Sequence, residues 1–216
     1  MGKLKESLLD IICDIDEEPS TVVIKKYMTV HSDDQEAVSI IDPNLKTGPW
    51  IAGGAALRWY QDMPVGESDI DVFCNNLQQA NDLIKKVRNY GGAYIKFESD
   101  NATTIRVSPP NSNSWTIQII KKRFFNNLKE VIDNFDISVC QIGTCGSEWI
   151  LGNETAKDVR ERNLRMSYPL QPDAPKRLTK YWIYGYRPVP GLIAEIQNTS
   201  TTRWKFTSDE DYHNAF

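Results

Sequence analysis

The residues of this chain best suited to chemistry are two carboxylates two positions apart. They sit in Ser68-Asp69-Ile70-Asp71-Val72-Phe73, a run with strand character. Side chains alternate faces along a strand, so Asp69 and Asp71 point the same way, about 7 Å apart by the rise per residue. Ile70 and Val72 point the other way, toward a core. Two like charges on one face repel unless a cation lies between them. Mg²⁺ accepts such oxygens and leaves its other positions to water or phosphate. A third acid follows in Asn134-Phe135-Asp136-Ile137-Ser138-Val139-Cys140. Read as part of a strand over Phe135–Ile142, that segment turns Asp136, Ser138 and Cys140 away from the core. Asp136 beside Asp69 and Asp71 would complete a two-metal site, with ions roughly 3.5–4 Å apart. Upstream, Gly53-Gly54 stands between the apolar Trp50-Ile51-Ala52 and a helix expected over Ala55–Gln61. Glycines there let the backbone approach a phosphate, and the start of a helix offers N–H groups to an anion. Taken singly, an Asp-X-Asp fits a solvated strand edge and a Gly-Gly pair fits a plain turn; it is their combination along the chain that points to chemistry.

The elements that must position these groups are legible from periodicity. Helices are expected over Leu4–Ile15, Leu77–Tyr90 (stopped by Gly91-Gly92), Leu128–Asp133, Asn153–Met166 and Ala174–Tyr184. Strands are expected over Thr21–Val30, Ala93–Glu98, Thr103–Val107, Ser114–Lys121 and Trp149–Leu151. The stretch from Asp42 to Pro49 reads as a loop by its Pro, Asn and Gly. The pattern is α+β: a mixed β-sheet with helices packed on one side and a small C-terminal helical extension. The expected division is a core over residues 1–152 and an extension over 153–216.

Bulk properties narrow the function classes. With 216 residues, 40% hydrophobic and 25% charged, the chain can bury a sizeable core. No apolar run is long enough to cross a bilayer, and no secretory signal is read at the N-terminus. Cys13, Cys74, Cys140 and Cys145 are scattered and only His31 and His213 accompany them, so neither a zinc site nor a disulfide scaffold is indicated. A cytoplasmic protein with reduced thiols is expected. The net charge of −4 excludes an all-over nucleic-acid coat. Between Ala156 and Arg187, however, eight basic residues face three acidic ones, leaving the remainder at −9. Such a segment suits a polyphosphate held opposite an acidic site, and equally a solvated helix face.

Gly-Gly, then a helix, then Ser-Asp-X-Asp-X-Phe, then a later third Asp: this order resembles the DNA polymerase beta-like nucleotidyltransferase superfamily. More narrowly, Gly53-Gly54-Ala55-Ala56-Leu57-Arg58 followed by Asp69-Ile70-Asp71 resembles the head domain of tRNA nucleotidyltransferases and poly(A) polymerases. Phe135-Asp136, and Arg177-Leu178-Thr179-Lys180-Tyr181 ahead of Gly185-Tyr186, resemble small phage and viral members. The resemblance runs from about Trp50 to Tyr186. Where the tRNA enzymes carry Leu-Leu-Gly-Arg, this chain has Trp59-Tyr60-Gln61-Asp62-Met63-Pro64, so nucleotidyl transfer is carried over and CCA addition is not. The resemblance implies Mg²⁺ or Mn²⁺ on Asp69, Asp71 and Asp136. It also implies an NTP such as ATP as donor, and an RNA end, a protein or a small molecule as acceptor. It places Gly53, Gly54 and Ser68 on phosphate oxygens. Arg58 is left between phosphate, ribose and a local acid. Arg177 and Lys180 become candidates for neutralising the triphosphate, and Tyr181 or Tyr184 for stacking on the base or merely packing. A non-catalytic nucleotide- or RNA-binding module on the same fold is the competing reading. No membrane partner is expected, and the oligomeric state is open.

Overall fold

The computed structural model describes residues 21–24, 30–110, 113–167 and 174–194. The helix expected over Leu4–Ile15, together with Cys13, Trp204 and His213, lies outside the described residues, as does most of the expected strand after Ile24. The described residues form two compact units. One runs to Phe135 and includes Cys140–Asn153; the other joins Asp136–Val139 to the chain from Glu154 onward.

The first unit is built on an eight-stranded mixed sheet. In chain order its strands are β1 (Thr21–Ile24), β2 (Trp50–Ala52), β3 (Asp69–Phe73), β4 (Ala93–Glu98), β5 (Ala102–Val107), β6 (Trp115–Ile120), β7 (Ile142–Thr144) and β8 (Trp149–Gly152). They lie in the order β1-β8-β7-β2-β3-β6-β5-β4. Neighbours run antiparallel except β3 and β6, which are parallel with Asp69 beside Thr116 and Asp71 beside Gln118. The α+β expectation holds. The expected limits of β4 match, and those of β5 and β6 fall within a residue or two; in β3, β5 and β6 the apolar residues meet a real core, with Ile70, Val72, Ile105, Val107, Ile117 and Ile119 fully buried.

Four helices belong to this unit: α1 (Gln35–Ile41), α2 (Gly54–Tyr60), α3 (Leu77–Arg88) and α4 (Leu128–Asp133). Helix α3 starts where the Asn76 side chain accepts from the Gln79 N–H, and Asn89 rather than Gly91 caps its end. Its Ala80, Leu83, Ile84 and Val87 are buried as it lies over β4, β5 and β6. Helix α4 has the same entry, with Asn127 accepting from Glu130 N–H. It buries Leu128, Val131 and Ile132 against Trp50 and Ala52, with Phe73 and Phe135 alongside. Helix α1, preceded by a single 3-10 turn at Ser32–Asp34, has no counterpart in the sequence reading. Seven residues span barely two turns, too few for periodicity to stand out.

That 3-10 turn carries the main polar knot of the unit. Asp34 is only 2% exposed. Its Oδ2 accepts from the Trp59 indole N–H at 2.8 Å and the Val65 backbone N–H at 2.7 Å, and its Oδ1 accepts from the Trp115 indole N–H at 3.1 Å. A buried polar group is tolerated when its bonds are complete, and these three donors are themselves buried.

The second unit holds α5 (Thr155–Glu161), the short parallel pair β9 (Asn163–Leu164) and β10 (Arg187–Pro188), and α6 (Ala174–Ile183). Two expectations are corrected here. Asn153–Met166 is not one helix: α5 stops where Arg162 turns left-handed (φ 58°) and its carbonyl accepts from Arg187 N–H at 2.8 Å. Nor is Phe135–Ile142 a strand. Ile137 makes an isolated bridge to Met166, Ser138–Cys140 is a 3-10 turn, and only Ile142 onward joins the sheet. Side-chain bonds draw this stretch out of a ladder. Ser138 Oγ donates to the fully buried Asp158 at 2.6 Å, the Thr155 hydroxyl donates to Ser138 O at 2.8 Å, and Ser138 N–H donates to Arg165 O at 3.0 Å. Arg165 Nε also reaches Asp158 at 3.2 Å. The hydrogen bond from Asp158 holds the Arg165 guanidinium above its ordinary pKa, with burial opposing.

Truncating the polar knot by Asp34→Ala strands three buried donors. It should lower the unfolding free energy by about 3 kcal/mol or more in a denaturant titration, at roughly 1–3 kcal/mol for each unsatisfied group. Burial pushes the Cys74 thiol up to about 12. Under native conditions at pH 8, iodoacetamide should therefore modify the half-exposed Cys145 and leave Cys74 intact until the chain is unfolded, as peptide mass mapping would show.

Candidate active site

The catalytic expectation centres on β3. The strand alternates half-buried Asp69, Asp71 and Phe73 with fully buried Ile70 and Val72, so both carboxylates share one face. Phe73, on that same face, is held edge-on by Phe125 (ring centroids 5.9 Å) and Phe135 (5.8 Å). The apolar end of β3 thus anchors the strand and leaves its acidic start at the surface.

The Gly53-Gly54 turn comes to this face. Gly53 is the N-cap of α2 at φ +79°, a backbone conformation that side-chain-bearing residues rarely adopt. A Cβ on Gly53 would stand 2.9 Å from the Phe135 ring and 3.9 Å from Asp71 Oδ2. The glycine is therefore required twice, by its dihedral and by its lack of a side chain, and it lies directly beside an acidic oxygen. Ser68, half-buried, precedes β3 in a turn closed by its N–H to Val65 O at 3.2 Å.

The remaining expected residues divide. Arg58 projects from α2, and its Nε donates to the Pro64 carbonyl at 2.8 Å, bracing the loop that leads into β3. That partner is none of the three that sequence left open. In the second unit, Arg177 Nη1 donates to Asp136 Oδ1 at 2.5 Å, so a residue expected on a triphosphate holds an expected metal ligand. Tyr181 is 6% exposed, with Tyr184 and Tyr186 edge-on at 6.1 Å each, which favours packing over base stacking for its ring. Tyr184 is more exposed, and Lys180 stands half-buried on the same helix.

The donor set bears on metal binding. Among the described residues no group of three or more His, Cys, Asp and Glu side chains is placed to hold a metal ion. Asp69 and Asp71 nonetheless fit Mg²⁺ in its usual mode, bound by one or two carboxylates with phosphates and waters completing the octahedron. Sequence reasoning missed how the site face continues. Thr116 and Gln118 of β6 stand beside Asp69 and Asp71, and Arg106 Nη1 of β5 donates to Thr116 Oγ1 at 2.9 Å. Alternation along Trp115–Ile120 hinted at two faces, but only strand order shows which residues flank the acids.

The fold is similar to that of a CCA-adding enzyme in complex with CTP, at 15% identity and a TM-score of 0.59 over 80% of this chain and 44% of that one. It is similar as well to a Thermotoga maritima CCA-adding enzyme complexed with tRNA, at 14% identity and TM-score 0.58 over 84% and 46%. A tRNA-processing enzyme in an apo form matches at 12% identity and TM-score 0.59 over 82% and 49%. The chain thus spans under half the length of these structures, and identities this low speak to the nucleotidyltransferase-like fold alone. No curated protein matches the chain. Residues 21–162, about two thirds of the sequence and including both β3 aspartates, match the model of the Gabija anti-defense 2 family protein, and the chain belongs to that family.

Proposed function

We propose that this protein is a metal-dependent nucleotidyltransferase, moving an NMP from an NTP to an acceptor hydroxyl with release of pyrophosphate. The observation that carries the reading is the placing of Asp71 against the Gly53 turn, with Asp69 on the same strand face. Acidic oxygens beside a backbone stripped of side chains can meet a metal-bound triphosphate. Asp69 and Asp71 would hold Mg²⁺ or Mn²⁺. When bound, the metal supplies positive charge against the triphosphate and favours the ionised acceptor hydroxyl. Asp136 stays in the proposed set on its sequence position.

The chain's own contribution is to position. Gly53, Gly54 and Ser68 let phosphate oxygens reach the backbone and a hydroxyl. Arg58 fixes the loop before β3. Arg177 and Lys180 are proposed to bring cationic charge to the nucleotide. The acceptor oxygen forms its bond to the α-phosphorus as the bond to the bridging oxygen breaks; pyrophosphate leaves, and the acceptor proton passes to solvent. The family's description names an action against Gabija. For this chain we propose that the modified acceptor is an RNA, protein or small molecule on which that defence depends.

A second reading, a non-catalytic nucleotide- or RNA-binding module, draws on one observation: Asp136 already has a cation in Arg177. Turnover separates the two. Incubation with each α-labelled NTP, Mg²⁺ or Mn²⁺, and total cellular RNA and protein should give a metal-dependent labelled band on a denaturing gel. Nucleotide binding without label in any fraction, small molecules included, would favour the module.

Asp69→Asn and Asp71→Asn should each cut transfer by roughly a hundredfold or more, the scale of losing one preorganised electrostatic group, while the metal-free thermal midpoint stays level or rises. Gly53→Ala should destabilise the fold by about 1–3 kcal/mol through its strained dihedral and depress transfer as well. Wild-type activity in either aspartate variant would sink the site assignment.

A further inference from the structure

The register of the sheet carries the site face outward from β3. Directly paired residues project from the same side of a sheet. Asp69 pairs with Thr116, Thr116 with Arg106, and Arg106 with Tyr94; Asp71 pairs with Gln118, Gln118 with Thr104, and Thr104 with Phe97. Two cross-strand rows therefore lead from the two carboxylates to two aromatic rings on the edge strand. Their middle is polar and tied together, with Arg106 and Gln118 half-exposed and Thr116 and Thr104 buried: Arg106 donates to Thr116 at 2.9 Å, and Gln118 Nε2 donates to Thr104 Oγ1 at 3.3 Å.

Tyr94 and Phe97 are three residues apart, a spacing that puts side chains of a regular strand on opposite faces. A bulge between Ile95 and Phe97 inserts Lys96 and resets the alternation, so both rings fall on the acidic face. They are 58% and 61% exposed. Large aromatic side chains turned to solvent in the same two rows as the acids are poorly explained by packing.

We propose that this face is the platform for a single-stranded nucleic-acid acceptor, with its terminal hydroxyl at Asp69 and Asp71 and its preceding bases stacked on Tyr94 and Phe97. The inference rests on the transferase reading and names its acceptor class. Scale supports it. Three strand spacings separate β3 from β4, roughly 14 Å, which is about four stacked nucleotides at roughly 3.4 Å each. Two register positions separate the rings, about 7 Å, enough for one base between them. The half-exposed Arg106, in the row between Tyr94 and Asp69, supplies a cation and hydrogen-bond donors for the backbone. Aromatic stacking accepts any base, which suits a strand read by its end rather than its sequence. A protein strand adding to the edge of β4 is the disfavoured occupant, since the bulge and the exposed Lys96 both blunt that edge.

The test is fluorescence anisotropy of short fluorescein-labelled oligoadenylate, as RNA and as DNA, with the full chain and no NTP. The variants are Tyr94→Ala, Phe97→Ala and Tyr94→Trp, with circular dichroism to confirm the fold. Each alanine should weaken binding about tenfold, within the range measured for base–aromatic stacks. Tyr94→Trp should preserve binding. In transfer assays Phe97→Ala should raise the KM for the oligonucleotide and not for the NTP. No oligonucleotide binding by the wild type, or alanine variants that bind as it does, would overturn the platform even where transfer to a protein or small molecule is found. Ring-dependent binding without turnover would uphold the platform while refuting the transferase.

Discussion

The first unit depends most on a single carboxylate that takes no part in the proposed chemistry. Asp34 gathers the Trp59 indole from α2, the Trp115 indole from the start of β6, and the backbone N–H of Val65 from the loop entering β3. Those three elements bear on the site. Helix α2 begins at the Gly53 turn, the Val65 loop delivers Ser68 and Asp69, and β6 lies beside both acids. A low-dielectric interior strengthens these bonds and makes each lost partner costly. The distance from turn to acid is thus set from the far side of the sheet, by a knot whose donors are two large indoles with little freedom to relax.

A second constraint acts on the acidic face itself. Phe73 is clamped between Phe125 and Phe135, and Phe135 also fills the space a side chain on Gly53 would need. One ring therefore fixes both the strand that carries the acids and the turn that approaches them. In the second unit the comparable role falls to Asp158, which is fully buried and takes Ser138 and Arg165. The two units share a design in which a buried acid, rather than apolar packing alone, fixes loops whose backbone would otherwise have few partners.

What could be read in advance follows from the range of the forces involved. β3, β4 and α4 were legible because alternation, or a short apolar repeat bounded by Asn, is written locally. The pairing of Asp69 and Asp71 followed from strand geometry alone. The end of α5 was not legible, because Arg162 leaves the helix to meet Arg187, twenty-five positions away in the sequence. The stretch after Phe135 was misread for the same reason: Phe135, Ile137 and Val139 alternate as a strand would, yet Ser138 is claimed by Asp158 and Thr155. The hold of Arg177 on Asp136 joins residues forty-one positions apart, and the rows from the acids to Tyr94 and Phe97 depend on strand order and on a bulge, none of which leaves a periodic trace.

The parallel pairing of β3 with β6 also governs how the chain must come together. Parallel neighbours cannot be joined by a tight turn, and everything from Cys74 to Ser114 intervenes. The intervening helix and the β4–β5 hairpin are local structures that can form early, whereas closing this long loop carries an entropic toll that the local elements do not offset. The strand bearing the acids gains its second neighbour only when that closure is complete. A nascent or partly folded chain would therefore lack one of the two strands that flank Asp69 and Asp71. The pairings of β2 with β7 and of β1 with β8 span still longer stretches of sequence, so the sheet as a whole is closed by contacts that no local segment can make alone.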